Sequence, residues 1–426
     1  MTRTLAAASV ARAVHGVAMD RIRSQFPALA SGTVFLENAG GSQVPRCVAD
    51  AMREYMLNSY VNLNAGYAKS DIATRTVHDA HAFINMLMNG EGVGRVMLGP
   101  SYTQLTYMLA SCYADVLRDG DEIIVAETGH EANIGPWMRL AERRTGVKVR
   151  LWKVDRDSMT CPIDGLKALL NDRTRIVAFP HVSNLLGEIV DVAAITKLAH
   201  AAGAKVVVDG VAYAPHRAID VQAWNVDWYA YSTYKVYGPH MAALFGRDDA
   251  IAELTGPNHF FIPRGEVPYK FELGGACHEG CAGLLALGGY LNVLATPDVN
   301  ATIDRATIES AFEVMTACEL PVQRRFMDWL RGRHDVRIHG PAHGDASRVA
   351  TMSFTHKRLS PKQVCAAAHA HDIGIRNGHM YAYRLCEVLD IDVGEGVVRV
   401  SAVHYNTVEE IDRLISVLEK AFDQAG

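Results

Sequence analysis

The sequence has little of what marks several classes of protein. Its longest apolar stretch, Cys281–Ala295, is shorter than the roughly 20 residues of a membrane span and carries Asn292, so it predicts a buried helix. The 15 prolines exclude a collagen-like or disordered chain, and eight cysteines in 426 residues are too sparse for a disulfide scaffold. A formal net charge of −5 offers no footprint for nucleic acid. We therefore expect a cytoplasmic globular protein with reduced thiols and neither a membrane nor a nucleic-acid partner.

Two ligand-binding motifs are also missing. No G-x-G-x-x-G opens a helix after a predicted strand, which argues against a dinucleotide-binding protein. Cys277 and Cys281 lie four residues apart, but no second Cys/His pair at zinc spacing accompanies them, so no metal site is expected. Arg12 and His15 interrupt any apolar core of a targeting peptide, and an amphipathic first helix is the preferred interpretation.

From about residue 89 to 246, short apolar runs alternate with helix-patterned stretches. The predicted strands are 95–98, 122–126, 148–153, 174–179, 205–208, 228–232 and 241–245. Strands that are apolar along their whole length are typical of a sheet covered on both faces. The pattern predicts an α/β fold with a mainly parallel sheet between helices.

After Gly283 the pattern changes to long helices up to about Arg331, strands at 348–354 and 397–402, and helices from Pro361 and over 408–422. This arrangement predicts a smaller α+β domain. We expect an N-terminal helical segment over residues 1–30 that packs on this small domain, a large domain over 31–290, and the C-terminal domain over 291–426.

Two residues with complementary chemistry follow predicted strands. Asp209 ends the apolar run K-V-V-V-D-G, and the carboxyl end of a parallel strand faces the crevice where α/β proteins bind ligands. Lys235 stands in S-T-Y-K-V-Y-G-P, an aromatic loop that would desolvate its amine and lower its pKa. An aspartate for a pyridinium nitrogen and a lysine for an aldehyde are what pyridoxal phosphate requires. The pair predicts that coenzyme, although a lone aspartate there would be a helix cap or turn residue.

Three further segments follow strands. Ser101 and Thr103 stand where helix amides would receive a phosphate, or where their hydroxyls would simply cap the helix. His130, in E-T-G-H-E-A-N, is placed to cover a planar cofactor, although a loop histidine is more often structural. Asn184, in P-H-V-S-N-L-L-G-E, is available to a ring oxygen or a substrate.

Together these motifs make the chain similar to the class V aminotransferases of the fold-type-I pyridoxal phosphate enzymes. H-V-S-N-L-L-G, K-V-V-V-D-G and S-T-Y-K-V-Y-G-P occur in the family's order, with F-L-E-N-A-G-G before Ser42 and R-V-S-A-V-H-Y-N-T from Arg399. The chain most resembles the cysteine desulfurase and selenocysteine lyase branch, with similarity to isopenicillin N epimerases and carbon–sulfur lyases. The family fold implies a seven-stranded sheet in the large domain.

The resemblance assigns roles to individual residues. It implies that Lys235 binds the coenzyme aldehyde, that Asp209 contacts the pyridine nitrogen and that His130 stacks on the ring. The other implied coenzyme contacts are Ser101, Tyr102, Thr103, Asn184, Ser232 and Tyr234. The implied substrate contacts are Arg399, which holds the α-carboxylate, together with Asn38, Asn64 and Arg376. A guanidinium suits the carboxylate because its two N–H groups bind both oxygens.

Departures from the family pattern bear on the reaction. Tyr381 stands where desulfurases carry the sulfur-accepting cysteine, and Cys386 lies five residues further on. Ala212 and Gly275 replace a glutamine and a threonine of the family pattern, and Tyr234 replaces a histidine. Without the acceptor thiol, the preferred reaction is β-elimination from cysteine, selenocysteine or an S-substituted cysteine, with Tyr381 or His379 protonating the departing sulfur.

Other outcomes remain open at this stage. Epimerisation, transamination, decarboxylation linked to deamination, and desulfuration through another thiol would all use the same residues. A scaffold that has lost catalysis is disfavoured because it needs none of Lys235, Asp209 and Arg399. The substrate is expected to be a small molecule, an amino acid, and the polar and aromatic residues that would select it, near Asn62, Asn64, Tyr381 and Arg384, do not identify it. Long apolar helices after Gly283 and the resemblance suggest a homodimer.

Overall fold

Thirteen strands occur in the part of the chain that the structure describes. The computed structural model describes residues 18–296, 298 and 300–425. The strands are β1 (Val34–Phe35), β2 (Gly94–Gly99), β3 (Glu122–Ala126), β4 (Lys148–Trp152), β5 (Thr174–Pro180), β6 (Lys205–Asp209), β7 (Trp228–Ser232), β8 (Ala242–Arg247), β9 (Val336–His339), β10 (Thr351–His356), β11 (Ile373–Gly374), β12 (Arg376–Gly378) and β13 (Val397–Ser401). Seven of them form one sheet in the order β2-β8-β7-β6-β5-β3-β4. β8 alone runs opposite to the other six strands, so the predicted mainly parallel sheet is confirmed.

Helices cover both faces of this sheet. The helices in the described residues are α1 (Met19–Arg23), α2 (Arg46–Asn58), α3 (Ala68–Leu87), α4 (Tyr102–Ala114), α5 (Glu131–Arg143), α6 (Ile163–Leu169), α7 (Val192–Ala201), α8 (Val221–Trp224), α9 (Asp248–Glu253), α10 (His278–Ala295), α11 (Arg305–Arg331), α12 (Pro361–His369), α13 (Tyr383–Val388) and α14 (Val408–Gln424). Alternate residues of a strand point to opposite faces, so Val206 and Val208 pack with α3, α7 and α10, whereas Val207 packs with α4 and α5. This two-sided burial explains why the strands are apolar throughout.

A second sheet lies in the C-terminal part of the chain. Its four antiparallel strands follow the order β12-β13-β10-β9, and its core packs against α11, α12 and α14. The strand predicted at 348–354 begins later, at Thr351, because the backbone before it pairs elsewhere: Arg348 bridges to Glu188, and the amide of Val349 donates to the carbonyl of Gly187. The fully buried guanidinium of Arg348 donates hydrogen bonds to the carbonyls of Leu186 and Thr351. That guanidinium ties the second sheet to the loop after β5.

Several contacts lie at the predicted boundaries between the N-terminal segment and the two domains. Strand β1 pairs with β11, and Val34 belongs to the core of the second sheet. The boundary predicted near residue 290 lies inside α10, which packs on α2 and α3. Of the predicted N-terminal helical segment, residues 1–17 lie outside the described residues. Its described part reaches the C-terminal residues through Arg23, which donates to the carbonyl of Tyr405 and pairs with Glu410. No described helix is long and apolar enough to cross a membrane.

Candidate active site

The carboxyl ends of the parallel strands meet in one pocket. Asp209 ends β6, Ser232 ends β7, and the helices that follow β2 and β3 begin at Tyr102 and Glu131. The lining consists of Tyr102, Thr103, His130, Ala132, Val182, Asn184, Asp209, Val211, Ala212, Ser232, Tyr234 and Lys235. The structure thus brings together eight of the nine residues predicted to contact the coenzyme.

The carboxylate of Asp209 is buried at the base of the pocket. Its Oδ1 accepts a hydrogen bond from the amide of Val211 at 3.0 Å, and Tyr102 lies beside it. Burial raises the pKa of Asp209 to about 6, because a charged carboxylate loses its hydration in the interior. The group is therefore ionised at neutral pH but gains strongly from a nearby positive charge.

Lys235 ends a short 3₁₀ helix, Thr233–Lys235, directly after β7. Burial, together with the positive charge of Arg399, lowers the pKa of its amine to about 8, although the charge of Asp209 acts in the opposite direction. A larger fraction of this amine is uncharged at neutral pH than for an ordinary lysine, as a nucleophile or proton acceptor requires.

His130 has both a structural contact and a place in the pocket. It caps α5, with its Nδ1 accepting a hydrogen bond from the amide of Ala132 at 2.9 Å. Burial lowers its pKa to about 4, helped by the charges of Lys235 and Arg399. The ring is therefore neutral, and it stacks on Tyr381 with centroids 5.2 Å apart and planes inclined by 23°.

The phosphate-binding prediction divides into two parts. Tyr102 and Thr103 begin α4 and line the pocket with Ser232 and Tyr234. Ser101 does not line it: its hydroxyl accepts a hydrogen bond from the amide of Gln104 at 3.2 Å and caps the helix. The capping alternative thus accounts for Ser101, whereas Tyr102 and Thr103 line the pocket.

Arg399 lies in the middle of β13, 4% exposed, opposite Arg376 of β12. Its Nη1 donates to the carbonyl of Asn184 at 3.1 Å, and its buried Nε has no hydrogen-bond partner among the described residues. Arg376 is exposed and pairs with Glu37 at 2.7 Å. A buried guanidinium with an unused donor is suited to bind an anion.

None of the four predicted substrate contacts belongs to the pocket lining: they are Arg399, Arg376, Asn38 and Asn64. The side-chain amide of Asn38 is buried and donates to the carbonyls of Phe35 and Ser401. Its N–H groups therefore form hydrogen bonds that join β1 to the end of β13. Asn64 is exposed in a left-handed turn (φ 56°) before α3. Neither residue shows a feature that points to a substrate, and both assignments stay predictions.

No cysteine lines the pocket. Cys386, the thiol nearest in sequence to Tyr381, is fully buried in α13, and burial raises its pKa to about 11. Cys277 is the exposed one of the eight, at the start of α10. A buried, protonated thiol is a poor nucleophile. No cluster of three or more potential metal ligands occurs in the described residues, including around Cys277.

Sequence reasoning missed two ion pairs at the pocket mouth. Glu131 binds Arg384 through a guanidinium fork at 3.1 to 3.2 Å, and Glu37 binds Arg376. Each pair joins residues hundreds of positions apart, so no local spacing signals it. The one hint in the sequence was the position of Glu131, an acidic residue directly after His130.

Comparisons with known proteins agree with this geometry. The class-V aminotransferase family matches residues 34–414. An aminotransferase-like protein, FGM3, of Gibberella zeae is 37% identical over 94% of this chain and 98% of its own length. A probable cysteine desulfurase of Vibrio cholerae is 30% identical over 95% and 98% of the two chains. The cysteine desulfurase CsdA of Escherichia coli superposes with a TM-score of 0.80 at 26% identity, covering 96% of this chain and 99% of CsdA.

These similarities extend over nearly the whole chain, and the TM-score of 0.80 shows that this chain and CsdA share their fold. The chain belongs to the class-V aminotransferase family, and it is a pyridoxal phosphate-dependent enzyme of fold type I.

Proposed function

We propose that this enzyme binds pyridoxal phosphate through Lys235 and catalyses β-elimination from cysteine, selenocysteine or an S-substituted cysteine. The observation that supports this most is a pocket that joins Lys235 and Asp209 and contains no thiol. In the balanced reaction, the substrate and water give pyruvate, ammonium and a thiol or selenol. The Cβ–S bond breaks with its electron pair leaving on sulfur, so no oxidant or sulfur acceptor is needed.

The described residues fit the coenzyme. Asp209 supplies a buried carboxylate for a pyridinium nitrogen, and Lys235 supplies an amine for the aldehyde. The start of α4 presents Tyr102 and Thr103 beside Ser232, where a phosphate would meet helix amides and hydroxyls. The buried Oδ1 of Asn184 has no partner among the described residues, which leaves an acceptor for a ring hydroxyl.

Each residue then has a defined task. Bound pyridoxal phosphate would withdraw electrons from Cα of the substrate. Arg399 would hold the α-carboxylate and so orient the Cα–H bond, and the freed amine of Lys235 would accept the Cα proton. Tyr381 or His379 would donate a proton to the departing sulfur. The negative charge of Asp209 would keep the bound pyridine protonated.

Product analysis tests the reaction. The purified enzyme would be incubated with cysteine, selenocysteine, several cysteine S-conjugates and alanine, and pyruvate, thiol and alanine would be measured. We expect pyruvate in equal amount to thiol. Alanine with elemental sulfur would indicate desulfuration instead, and no turnover of any sulfur or selenium compound would overturn the proposal. Deuterium entering Cα without product would indicate epimerisation.

Transamination is the second candidate, because the relative FGM3 is called aminotransferase-like. It would use Lys235, Asp209 and Arg399 in the same way, but the Cβ–S bond of the substrate would stay intact. A keto acid with its side chain intact, formed with an amino acid from an added keto acid, would favour this candidate over elimination.

The pH dependence of coenzyme attachment follows from the lowered pKa of Lys235. The uncharged amine attacks the aldehyde, so the rate of attachment to the coenzyme-free protein should rise with pH and level off above about 8. Stopped-flow absorbance across pH 6 to 10, as a rough range, would record the curve. A rate that kept rising toward the ordinary lysine value of 10.5 would contradict the assignment.

Arg399→Met should weaken binding of every substrate that carries an α-carboxylate. The substitution removes the guanidinium, so the substrate carboxylate would lose its hydrogen bonds to Arg399. Charged hydrogen bonds contribute roughly 1.5–3 kcal/mol each, and we therefore expect about 100-fold lower kcat/KM. The control is a substrate without the carboxylate, such as cysteamine, whose slow binding to the loaded enzyme should be unaffected. Equal losses for both compounds would contradict a carboxylate role.

A homodimer is also part of this proposal. The loop between α9 and α10 exposes Phe260 fully and Phe261 and Leu273 by more than 60%, an apolar surface that a second copy would cover. Sedimentation should give twice the chain mass of 46.5 kDa, and Phe260→Asp with Phe261→Asp should shift it toward the monomer. A monomeric wild-type protein would contradict this expectation.

A further inference from the structure

The segment Gly378–Arg384, here named the Tyr381 segment, lies at the mouth of the pocket in a strained conformation. Gly378, Met380 and Tyr381 all have positive φ, of 127°, 52° and 58°. Left-handed backbone is unfavourable for residues with side chains, and here two such residues are adjacent. Outside contacts are therefore needed to keep this conformation, and strain of this kind is common at functional sites.

Two backbone carbonyls of the segment are held from the large sheet's side. Asn184 Nδ2 donates to the carbonyl of Met380 at 2.7 Å. The amide of Glu131 donates to the carbonyl of Tyr381 at 2.8 Å. Both donors neighbour predicted coenzyme contacts or belong to them, so the segment is fixed directly to the pocket wall.

The side chains of Glu131 and Arg384 add a third connection. Arg384 Nε and Nη2 donate to both carboxylate oxygens of Glu131, and each side chain is only about one-third exposed (36% and 35%). A planar fork of this kind fixes orientation as well as distance. Glu131 therefore contacts the segment twice, through its amide and through its carboxylate.

These contacts hold the ring of Tyr381 in place. Tyr381 is 62% exposed, so its own burial does not fix it, yet it stacks on His130. His130 precedes Glu131 in the chain and caps α5, so the start of one helix contacts the ring of Tyr381 and also carries the ion pair with Arg384. Loss of the Glu131–Arg384 ion pair would let the exposed Tyr381 leave the pocket mouth.

We propose that Glu131 and Arg384 are positioning residues, whose ion pair holds Tyr381 at the pocket mouth for proton donation to the leaving group. This inference rests on the proposed function, in which Tyr381 or His379 protonates sulfur, and it takes Tyr381 as the donor. Neither residue needs to touch the substrate. Its consequence is specific: the pair matters most for leaving groups that need a proton in order to depart.

The test uses the coenzyme-loaded enzyme and two series of S-conjugates, one releasing a basic alkyl thiolate and the other a weakly basic nitrophenyl thiolate. The variants are Arg384→Met, Glu131→Gln and the exchanged pair Glu131→Arg with Arg384→Glu. Glu131→Gln keeps the amide that holds Tyr381 and removes only the charge. Arg139→Met is the matched control, because it breaks an exposed ion pair with Glu142 on the same helix.

We expect Arg384→Met and Glu131→Gln to lower kcat about tenfold for the alkyl series, with KM little changed, because a misplaced acid acts only in the transition state. The nitrophenyl series should lose much less, and the exchanged pair should recover part of the loss. Amide exchange, followed by mass spectrometry, should speed up over the Tyr381 segment in both single variants. Arg139→Met should behave as the wild type.

Equal losses for the two leaving-group series, or kinetics like those of Arg139→Met, would overturn the positioning role. Unchanged amide exchange in both variants would do the same, because the pair would then not hold the segment. Absence of pyruvate from the wild-type enzyme is a separate result: it contradicts the proposed function, while the exchange data still show whether the ion pair holds the segment.

Discussion

Replacing Lys235 by alanine is expected to lower kcat by about four orders of magnitude, the upper range for loss of a general acid–base group. The proposal gives this one amine two tasks, attachment of the coenzyme and acceptance of the Cα proton. Arg399 lowers the pKa of this amine and Asp209 raises it, so the charges on both sides of the pocket act on the same group. Pyruvate release under saturating coenzyme would measure the effect.

The matched control is Lys197→Ala, which removes an exposed lysine of α7. It should keep wild-type activity and melting temperature. Small primary amines added to the Lys235→Ala variant should restore a fraction of the rate, since they can accept the Cα proton in place of the side chain. Activity within tenfold of the wild type would contradict both tasks of Lys235.

Asp209→Asn is expected to lower kcat by about 10² to 10³, the range found for removal of one preorganised electrostatic contact. Asparagine preserves the shape and removes the charge that would keep the pyridine protonated. A coenzyme analogue that is permanently charged by methylation at the ring nitrogen should restore part of the activity of Asp209→Ala, where there is room for the methyl group. No restoration, with the analogue shown to bind, would contradict the electrostatic role.

Asp209→Asn should also stabilise the coenzyme-free protein. The pKa of Asp209 is raised in the folded state to about 6, so the folded chain holds this proton more tightly than the unfolded chain. The resulting stability is present below the ordinary value of 3.8 and is lost as the pH rises through about 6. At pH 7, removal of the charge would raise the free energy of unfolding by about 2–3 kcal/mol. Denaturant melts at pH 5 and pH 7 would show this difference growing with pH.

Much of the fold could be predicted from hydropathy alone. Val206, Val207 and Val208 face two different cores, and a strand buried on both faces leaves an uninterrupted apolar run that is easily recognised. Short strands give no such signal. Strand β1 has two residues and depends on pairing with β11, near the other end of the chain, and such distant pairing leaves no local pattern.

The candidate site divides in the same way. Asp209 and Lys235 were predictable because each follows a buried strand, and parallel strands bring their carboxyl ends together. Asn38 has contacts that its motif did not indicate: its side-chain amide donates to the carbonyls of Phe35 and Ser401, and its role as a substrate contact stays a prediction. The Glu131–Arg384 pair depends on how the C-terminal segment meets the large sheet, which only the assembled fold reveals.

Borohydride reduction of the coenzyme-loaded protein, followed by peptide mass mapping, tests the covalent assignment most directly. Reduction makes the bond between the coenzyme and its lysine permanent, so the modified peptide identifies the attachment site. We predict one pyridoxyl group per chain, on Lys235, and none on the exposed Lys197. An unmodified Lys235 after incubation with excess coenzyme, or an adduct on a different lysine, would contradict the proposed chemistry.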